Sequence, residues 1–264
     1  MRTFAFASIK GGVGKTTLAA HVAAALADRG RRTLLMDLDP QGHASMMAGV
    51  DVETGEACVA DAFGLHARQG LDQVVRASSR ENLWVAPAIG RMATMERDLF
   101  RWGHRLEAIP RALAPVAEQY DAVVIDTPPQ LNAYTEAALA AGDVMVVPVP
   151  AMAHSLQGLD EIQMAWQDAT NGRGARMVAA VNLWDRRTTA TNAAMEETFK
   201  DLALPLAKSR VLRAEALNQA GLSFEFVYDY APSSEVARCL RDLADELWRM
   251  AGRKKSTKSK AGKS

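Results

Sequence analysis

Cysteine is nearly absent from the 264 residues: Cys58 and Cys239 are too few and too far apart for a disulfide framework, a zinc ribbon or a cysteine-held iron–sulfur cluster. The five histidines (21, 43, 66, 104 and 154) are scattered without metal-ligand spacing. Long apolar runs are missing too. The longest, Met145–Ala153, contains Pro148 and Pro150 and is far too short to cross a bilayer. The opening MRTFAFASIKGG lacks the apolar segment of a signal peptide, so a cytoplasmic, reducing compartment is expected. Neither sign of charge predominates, with 31 basic and 31 acidic residues, but the balance is uneven along the chain. The last twelve residues, RKKSTKSKAGKS, hold six bases and no acid, which leaves the remainder at about −6. What is present is ordinary: 48% hydrophobic and 23% charged residues, the composition of a folded globular chain.

Short apolar runs alternate with helical patterns. Strands are expected at Thr3–Ser8, Thr33–Leu38, Leu83–Ala86, Ala122–Asp126, Val144–Val149, Met177–Val181 and Phe224–Tyr228, several apolar on consecutive residues, as strands buried on both faces require. Helices are expected at Thr16–Arg29, Leu156–Ala169, Asn192–Leu202 and Ser233–Ala251. A further helix, Glu107–Gln119, is interrupted by Pro110 and Pro115, and residues 50–82 give no clear pattern. The alternation argues for an α/β fold with a mainly parallel, twisted sheet of about seven or eight strands and helices on both faces. One domain over residues 1–251 is expected, followed by a basic, disordered tail at 252–264.

The chemistry is carried by Lys10-Gly11-Gly12-Val13-Gly14-Lys15-Thr16-Thr17, which follows the first strand and opens the first helix. Glycines let consecutive backbone N–H groups turn inward, and the helix N-terminus adds positive potential, so this loop suits phosphate. Lys15 can neutralise β- and γ-phosphate oxygens, while the Thr16 hydroxyl is placed to ligate Mg²⁺. Carboxylates for the metal and an attacking water stand at two further strand ends: LLMDLDPQG, with Asp37 and Asp39, and VVIDTPP, with Asp126. In an open α/β sheet the three segments would converge beyond the carboxyl ends of the strands.

KGGVGKTT, LLMDLDPQG and VVIDTPP together resemble the deviant Walker ATPases, specifically the ParA group, which positions plasmids, chromosomes or large protein cargos. The likeness covers roughly residues 3–250 and extends to NLWVAPAIGRMATMERDL, AGDVMVVPVPAMAHSLQGL and the terminal amphipathic helix. It implies a P-loop NTPase domain with ATP and Mg²⁺ as cofactors and slow, partner-stimulated ATP hydrolysis. The resemblance makes Lys10 the residue that reaches across a homodimer interface to the partner's phosphates. It makes Asp39 the residue that orients the water, and Asp37 and Asp126 those that organise the metal's hydration shell. Asn182 would contact the adenine.

Within the group, nitrogenase iron-protein relatives need paired cysteines, and the tyrosine-kinase type ends in a tyrosine cluster; neither is present. The tail has no large apolar residue, unlike the amphipathic membrane helix of MinD-like proteins, so no membrane partner is expected. Nine residues precede Lys10, so operator-specific DNA binding through a helix-turn-helix ahead of the loop is not expected. The remaining likeness is to the small ParA type, whose ATP dimer binds DNA without sequence preference and answers to a ParB-type or cargo-specific adaptor. The expected location is therefore cytoplasmic and nucleoid-associated. Candidate phosphate-neutralising residues are Arg187, Arg210 and Arg213, with Arg186, Lys208, Arg238 and Arg241 as further bases. The alternatives are a MinD-like spatial regulator and an ATP-dependent metabolic synthetase on the same fold.

Overall fold

Consecutive apolar residues place the strands where both sheet faces are covered, and the geometry of the site follows from that stacking. The computed structural model describes residues 1–53, 55–63, 67–152, 158–171, 176–200 and 204–252, except the side chains at positions 94 and 95. The expected tail beyond Gly252 lies outside the described residues. Eight strands form one sheet: β1 (Arg2–Phe6), β2 (Thr33–Asp37), β3 (Arg76–Ala77), β4 (Leu83–Ala86), β5 (Ala122–Asp126), β6 (Val144–Pro150), β7 (Arg176–Trp184) and β8 (Leu206–Leu212). Their order is β3-β4-β2-β5-β1-β6-β7-β8, parallel throughout except for β3 against β4. The helices are α1 (Lys15–Asp28), α2 (His43–Met47), α3 (Leu71–Val74), α4 (Met92–Arg101), α5 (Ala108–Leu113) and α6 (Ala133–Ala141). They continue with α7 (Leu159–Thr170), α8 (Thr189–Lys200), α9 (Glu215–Leu222), α10 (Val227–Tyr230) and α11 (Glu235–Ala251).

Alternate strand residues feed opposite layers, as the period of two requires. Leu35, Val124 and Val146 pack with α1 and α11, whereas Leu34, Met36, Val123 and Ile125 pack with Ile109 and Tyr134. A third cluster joins Val147, Val149 and Val181 to Ile162 of α7 and Phe199 of α8. The prolines of β6 are tolerated because β1 pairs only with Val144–Val146, so Pro148 and Pro150 lie beyond that ladder.

Three expectations need correction. Phe224–Tyr228 is not a strand: Phe224 takes a left-handed φ of 51° and α10 begins at Val227. Its alternating aromatics instead enclose His21 of α1, with Phe226 and Tyr228 edge-on to the imidazole at 5.6 and 5.5 Å. The last strand is Leu206–Leu212, whose Lys208 and Arg210 hide it from a hydropathy pattern. Its register is irregular, and the buried Glu246 carboxylate of α11 accepts the backbone N–H groups of Lys208 and Ser209. Finally, Glu107–Gln119 is not interrupted at Pro110, which sits in the first turn of α5, but divides ahead of Pro115 into α5 and a 3₁₀ turn, Ala114–Val116.

His21 ties α1 to α10 in a way that fixes its protonation state. Nε2 accepts the Val227 N–H at 3.0 Å, so Nδ1 carries the proton and donates to the Thr17 carbonyl at 2.8 Å. Burial, with Arg80 in support and Asp229 in opposition, pushes its pKa down to about 4 from 6.5. Between those values the unfolded chain binds a proton that the folded chain refuses. This contribution is complete above pH 6.5 and lost as pH falls through 4, a total of about 3 kcal/mol. Buried Asp37 and Asp126, both raised, act in the opposite sense over the same range. The expected result is therefore a signed separation: the urea midpoint at pH 4.5 minus that at pH 7 should be lower in the wild type than in His21→Gln, where only the opposing carboxylates remain. Equal separations would remove His21 from the acid response.

Candidate nucleotide site

At the carboxyl end of β1 the chain turns through Ser8–Gly14 into α1. Gly12 and Gly14 adopt φ of 74° and 83°, conformations that glycine takes without strain. At Gly14 there is a second constraint, because a Cβ would stand 2.2 Å from Asn182 Nδ2. The Leu18 N–H reaches the Gly14 carbonyl at 2.9 Å, so the Lys15, Thr16 and Thr17 N–H groups at the start of α1 have no carbonyl a turn behind them. They and the glycine-loop amides form an electropositive cradle. The Lys10 N–H is held by the Ser8 hydroxyl at 3.2 Å.

Asp126 stands in register between its neighbours Phe6 of β1 and Asp37 of β2. The Leu38 N–H bonds to the Asp126 carbonyl at 2.9 Å and the Thr127 hydroxyl to the Phe6 carbonyl at 2.8 Å, which locks the three strand ends together. The three carboxylates are not equivalent. Asp37 is fully buried, and its oxygens accept from the Asp39 N–H (3.1 Å), the Ser45 N–H (2.9 Å) and the Ser45 hydroxyl (2.7 Å). Burial, and then Asp126, push its pKa up to about 7. Burial raises Asp126 to about 6, with Lys15, and then the nearby Thr16 hydroxyl and Thr127 N–H, opposing the rise. Asp39 is only half-buried; its Oδ1 accepts the Gln41 N–H at 3.0 Å.

Asn182, expected to contact the adenine, lies at the end of β7 against the phosphate loop. Its Nδ2 donates to the Val13 carbonyl at 2.9 Å and its buried Oδ1 has no partner, so the side chain braces the phosphate loop from β7. Ser45 and Thr127, which had no expected role, hold Asp37 and the strand ends; their only sequence signal is proximity to the two acidic motifs. The candidate DNA residues gather at the β7–β8 edge and are not equally available. Arg187 is paired with Asp185 two residues earlier, through bonds of 2.9 and 2.7 Å, and this pulls Asp185 down to about 2. Arg210 is held by Glu196 and by the Ala207 carbonyl. Arg213 is exposed, and its N–H anchors to the Trp184 carbonyl at 2.9 Å. Of the further bases, Arg186 pairs with Glu235, and Arg241 stacks on Tyr228 at 4.7 Å.

A glycine cradle over a parallel sheet, with a buried lysine facing a strand-end carboxylate, defines a P-loop ATPase. A family model described as "AAA domain" matches residues 1–172. Over 249 residues the chain is 32% identical to the sporulation initiation inhibitor protein Soj of Bacillus subtilis, covering 93% of this chain and 98% of the relative. It is 31% identical over 253 residues to the chromosome-partitioning ATPase Soj of Thermus thermophilus, covering 94% and 95%. Among solved structures, cobyrinic acid a,c-diamide synthase of Mycobacterium smegmatis with bound ATP analog and magnesium superposes with a TM-score of 0.82 at 28% identity, covering 96% of this chain and 98% of that one. The chain belongs to the AAA-domain family and, within it, to the ParA/Soj type of P-loop ATPase.

Proposed function

We propose that this ATPase is a nucleotide-timed positioning switch: it binds ATP and Mg²⁺, dimerises around the nucleotide, binds DNA without sequence preference, and releases it when a partner protein stimulates hydrolysis. The observation that carries the reading is the loop itself, in which Lys10 precedes a full phosphate cradle ending in buried Lys15. The residues present fit the absent groups. Backbone N–H groups of Gly11–Thr17 suit phosphate oxygens, and the buried oxygens of Asp126 suit the shell of a divalent cation. In this reading Lys15 would neutralise the phosphates and Thr16 and Asp126 would hold the metal; Asp37, expected to share in its hydration shell, has its oxygens engaged by Ser45 and the Asp39 N–H and fixes the turn that presents Asp39. When bound, Mg²⁺ would supply charge neutralisation at the terminal phosphates. Arg213, exposed beside the β7 segment that braces the loop, is the first choice for a DNA contact. Arg187 and Arg210 would contribute after exchanging their carboxylate partners. Association with the nucleoid and a cargo adaptor follow from the same reading.

The Mycobacterium smegmatis synthase is a specific reason to keep a second reading, an ATP-dependent synthetase acting on a small carboxylic acid. Its substrate would need polar groups beside the phosphate loop. The cleft of about 620 Å³ lined by Gly30, Arg80 and Asn82 lies at the opposite end of the sheet, ahead of β2 and β4. The two readings separate on ATP turnover: stimulation by duplex DNA supports the switch, and stimulation by small carboxylic acids supports the synthetase.

Lys10→Ala tests the dimer directly. Its proposed contact is across the interface, so ATP affinity should stay within about threefold, while the ATP-dependent dimer and hydrolysis are lost. Sedimentation velocity that shows a normal ATP dimer for this variant would overturn the role given to Lys10.

A further inference from the structure

At the end of the sheet opposite the glycine loop, the cleft of about 620 Å³ gathers three carboxylates around one guanidinium. Asp28 comes from the last turn of α1, Glu81 from the turn before β4, and Asp229 from α10. Arg80 lies between two of them: Nη2 donates to both Asp229 oxygens at 2.6 Å, and Nη1 donates to Asp28 Oδ1. This leaves Asp28 Oδ2 without a hydrogen bond and Glu81 without an ion pair among the described residues. Three carboxylates against one guanidinium give the cleft a net charge of −2. Asp28 deepens that potential, because it ends α1, where the helix dipole is negative and the last turn holds no base.

The described part of the chain stops close by. Gly252 follows α11 and packs against Arg2, whose Nη2 lies 3.0 Å from the position a Cβ would take. Arg2 stacks on Trp248 at 3.8 Å, and Arg31 stacks on the same ring at 4.1 Å. Arg31 is the residue after Gly30, which lines the cleft. Residues 253–264 hold six bases, no acid and no large apolar residue. Twelve residues span up to about 40 Å, ample for a path across one tryptophan and one arginine. Ground nearer to Gly252 does not attract them. Arg2, Arg31 and Arg176, the last with Nη1 on the Met250 carbonyl at 3.2 Å, line the exit from α11. The acids there are already engaged, Asp245 by Arg29 and Asp121 by Arg32.

We propose that this cleft is the docking site of the chain's own residues 253–264, with tail lysines facing Glu81 and Asp28 Oδ2. The match is one of character as well as charge. Ser79, Asn82 and the carboxylates offer acceptors to ammonium groups, and the small residues between the tail's lysines need no apolar floor. Tethering holds the tail at about the millimolar local concentration typical of short linkers, so pairs that are individually weak suffice. A free polyamine or the tail of a second copy brings the same ammonium groups without that advantage. Bases seated in the cleft are withheld from DNA phosphates, which makes the contact self-inhibitory. This consequence rests on the DNA reading above; the docking itself does not.

The test is limited trypsin digestion of the full chain at low salt, without nucleotide or DNA, read by intact mass. Cleavage after Arg253, Lys254 and Lys255 tracks the undocked fraction of the tail. Tail removal should be at least about threefold faster in Glu81→Gln/Asp28→Asn than in the wild type. Glu81→Gln alone should act in the same direction, and because Glu81 is exposed and has no partner to lose, the fold is not at issue. Glu161→Gln, on α7 across the sheet, should leave the rate unchanged. The difference should vanish near 1 M salt, where the screening length is about 3 Å. Equal rates in the wild type and the double variant at low salt overturn the proposal. Protection that grows with protein concentration would assign the cleft to the tail of a second copy. Calorimetry showing micromolar binding of spermidine to the wild type, lost in the double variant, would assign it to a free polyamine. Either outcome also overturns the proposal. Absence of DNA binding with the cleavage difference intact would count against the DNA reading alone.

Discussion

Lys15→Ala is expected to lower affinity for ATP by at least about a hundredfold, because the lost ammonium makes charge-assisted contacts, each worth roughly 1.5–3 kcal/mol. Its position leaves little room for a substitute. Lys15 is 6% exposed, begins α1, and faces the buried Asp126 carboxylate at 3.9 Å. Without the ammonium, Asp126 loses the charge that opposes its raised pKa and will hold its proton to higher pH. The variant should therefore remain folded near neutrality, since a protonated Asp126 avoids an unpaired buried charge. Two measurements separate these effects: calorimetric titration with ATP and Mg²⁺, and a thermal melt without nucleotide. Unchanged affinity would remove the phosphate-loop reading, and Lys15→Arg is not expected to rescue it, because the guanidinium fork does not fit a space built for a compact charge.

How much of this was legible in the sequence depended on burial. β1, β2, β4, β5 and β6 announce themselves because both faces are covered and nearly every residue is apolar. β8 does not, because it is an edge strand whose Lys208 and Arg210 face other needs and whose backbone is stitched by Glu246, some forty residues away. The aromatic alternation of Phe224–Tyr228 looks like a strand from its period alone. Only the fold reveals that His21 of α1 requires an aromatic enclosure there.

The site divides in the same way. The loop and the strand-end acids were visible because they are contiguous and their order along the chain matches the order of the chemistry. The differences among the acids were not visible. Asp37 and Asp39 stand two residues apart, yet one is sealed under Ser45 and the other reaches solvent. Nor could the spacing show that Asn182 braces the Val13 carbonyl, a contact between residues 169 positions apart. Among the arginines, the pairing of Arg187 with Asp185 is local and could have been read from the sequence. The hold of Glu196 on Arg210 requires α8 to lie against β8.

Asp39→Ala is expected to slow hydrolysis by about a hundredfold or more, the range typical of a positioned general base, while ATP affinity stays within about threefold. The geometry singles this residue out. Asp37 cannot meet a water because it is enclosed and its oxygens are engaged by the Asp39 amide and Ser45. Asp126 faces Lys15 and, in the proposed complex, is taken up by the metal's shell. Asp39 alone of the three is solvent-accessible, and its Oδ1 is oriented by the Gln41 N–H while Oδ2 takes no hydrogen bond among the described residues. Asp39→Asn adds a finer test, since the amide keeps an oxygen to orient water but cannot take its proton. If Asp39 only positions the water, Asn should recover turnover over Ala at least tenfold; if it accepts the proton, both variants should be equally slow. In either case the ATP complex should persist, visible as a dimer that does not decay over the wild-type turnover time. Wild-type turnover in Asp39→Ala would transfer the role to another group, and no second solvent-accessible carboxylate stands among the three at these strand ends.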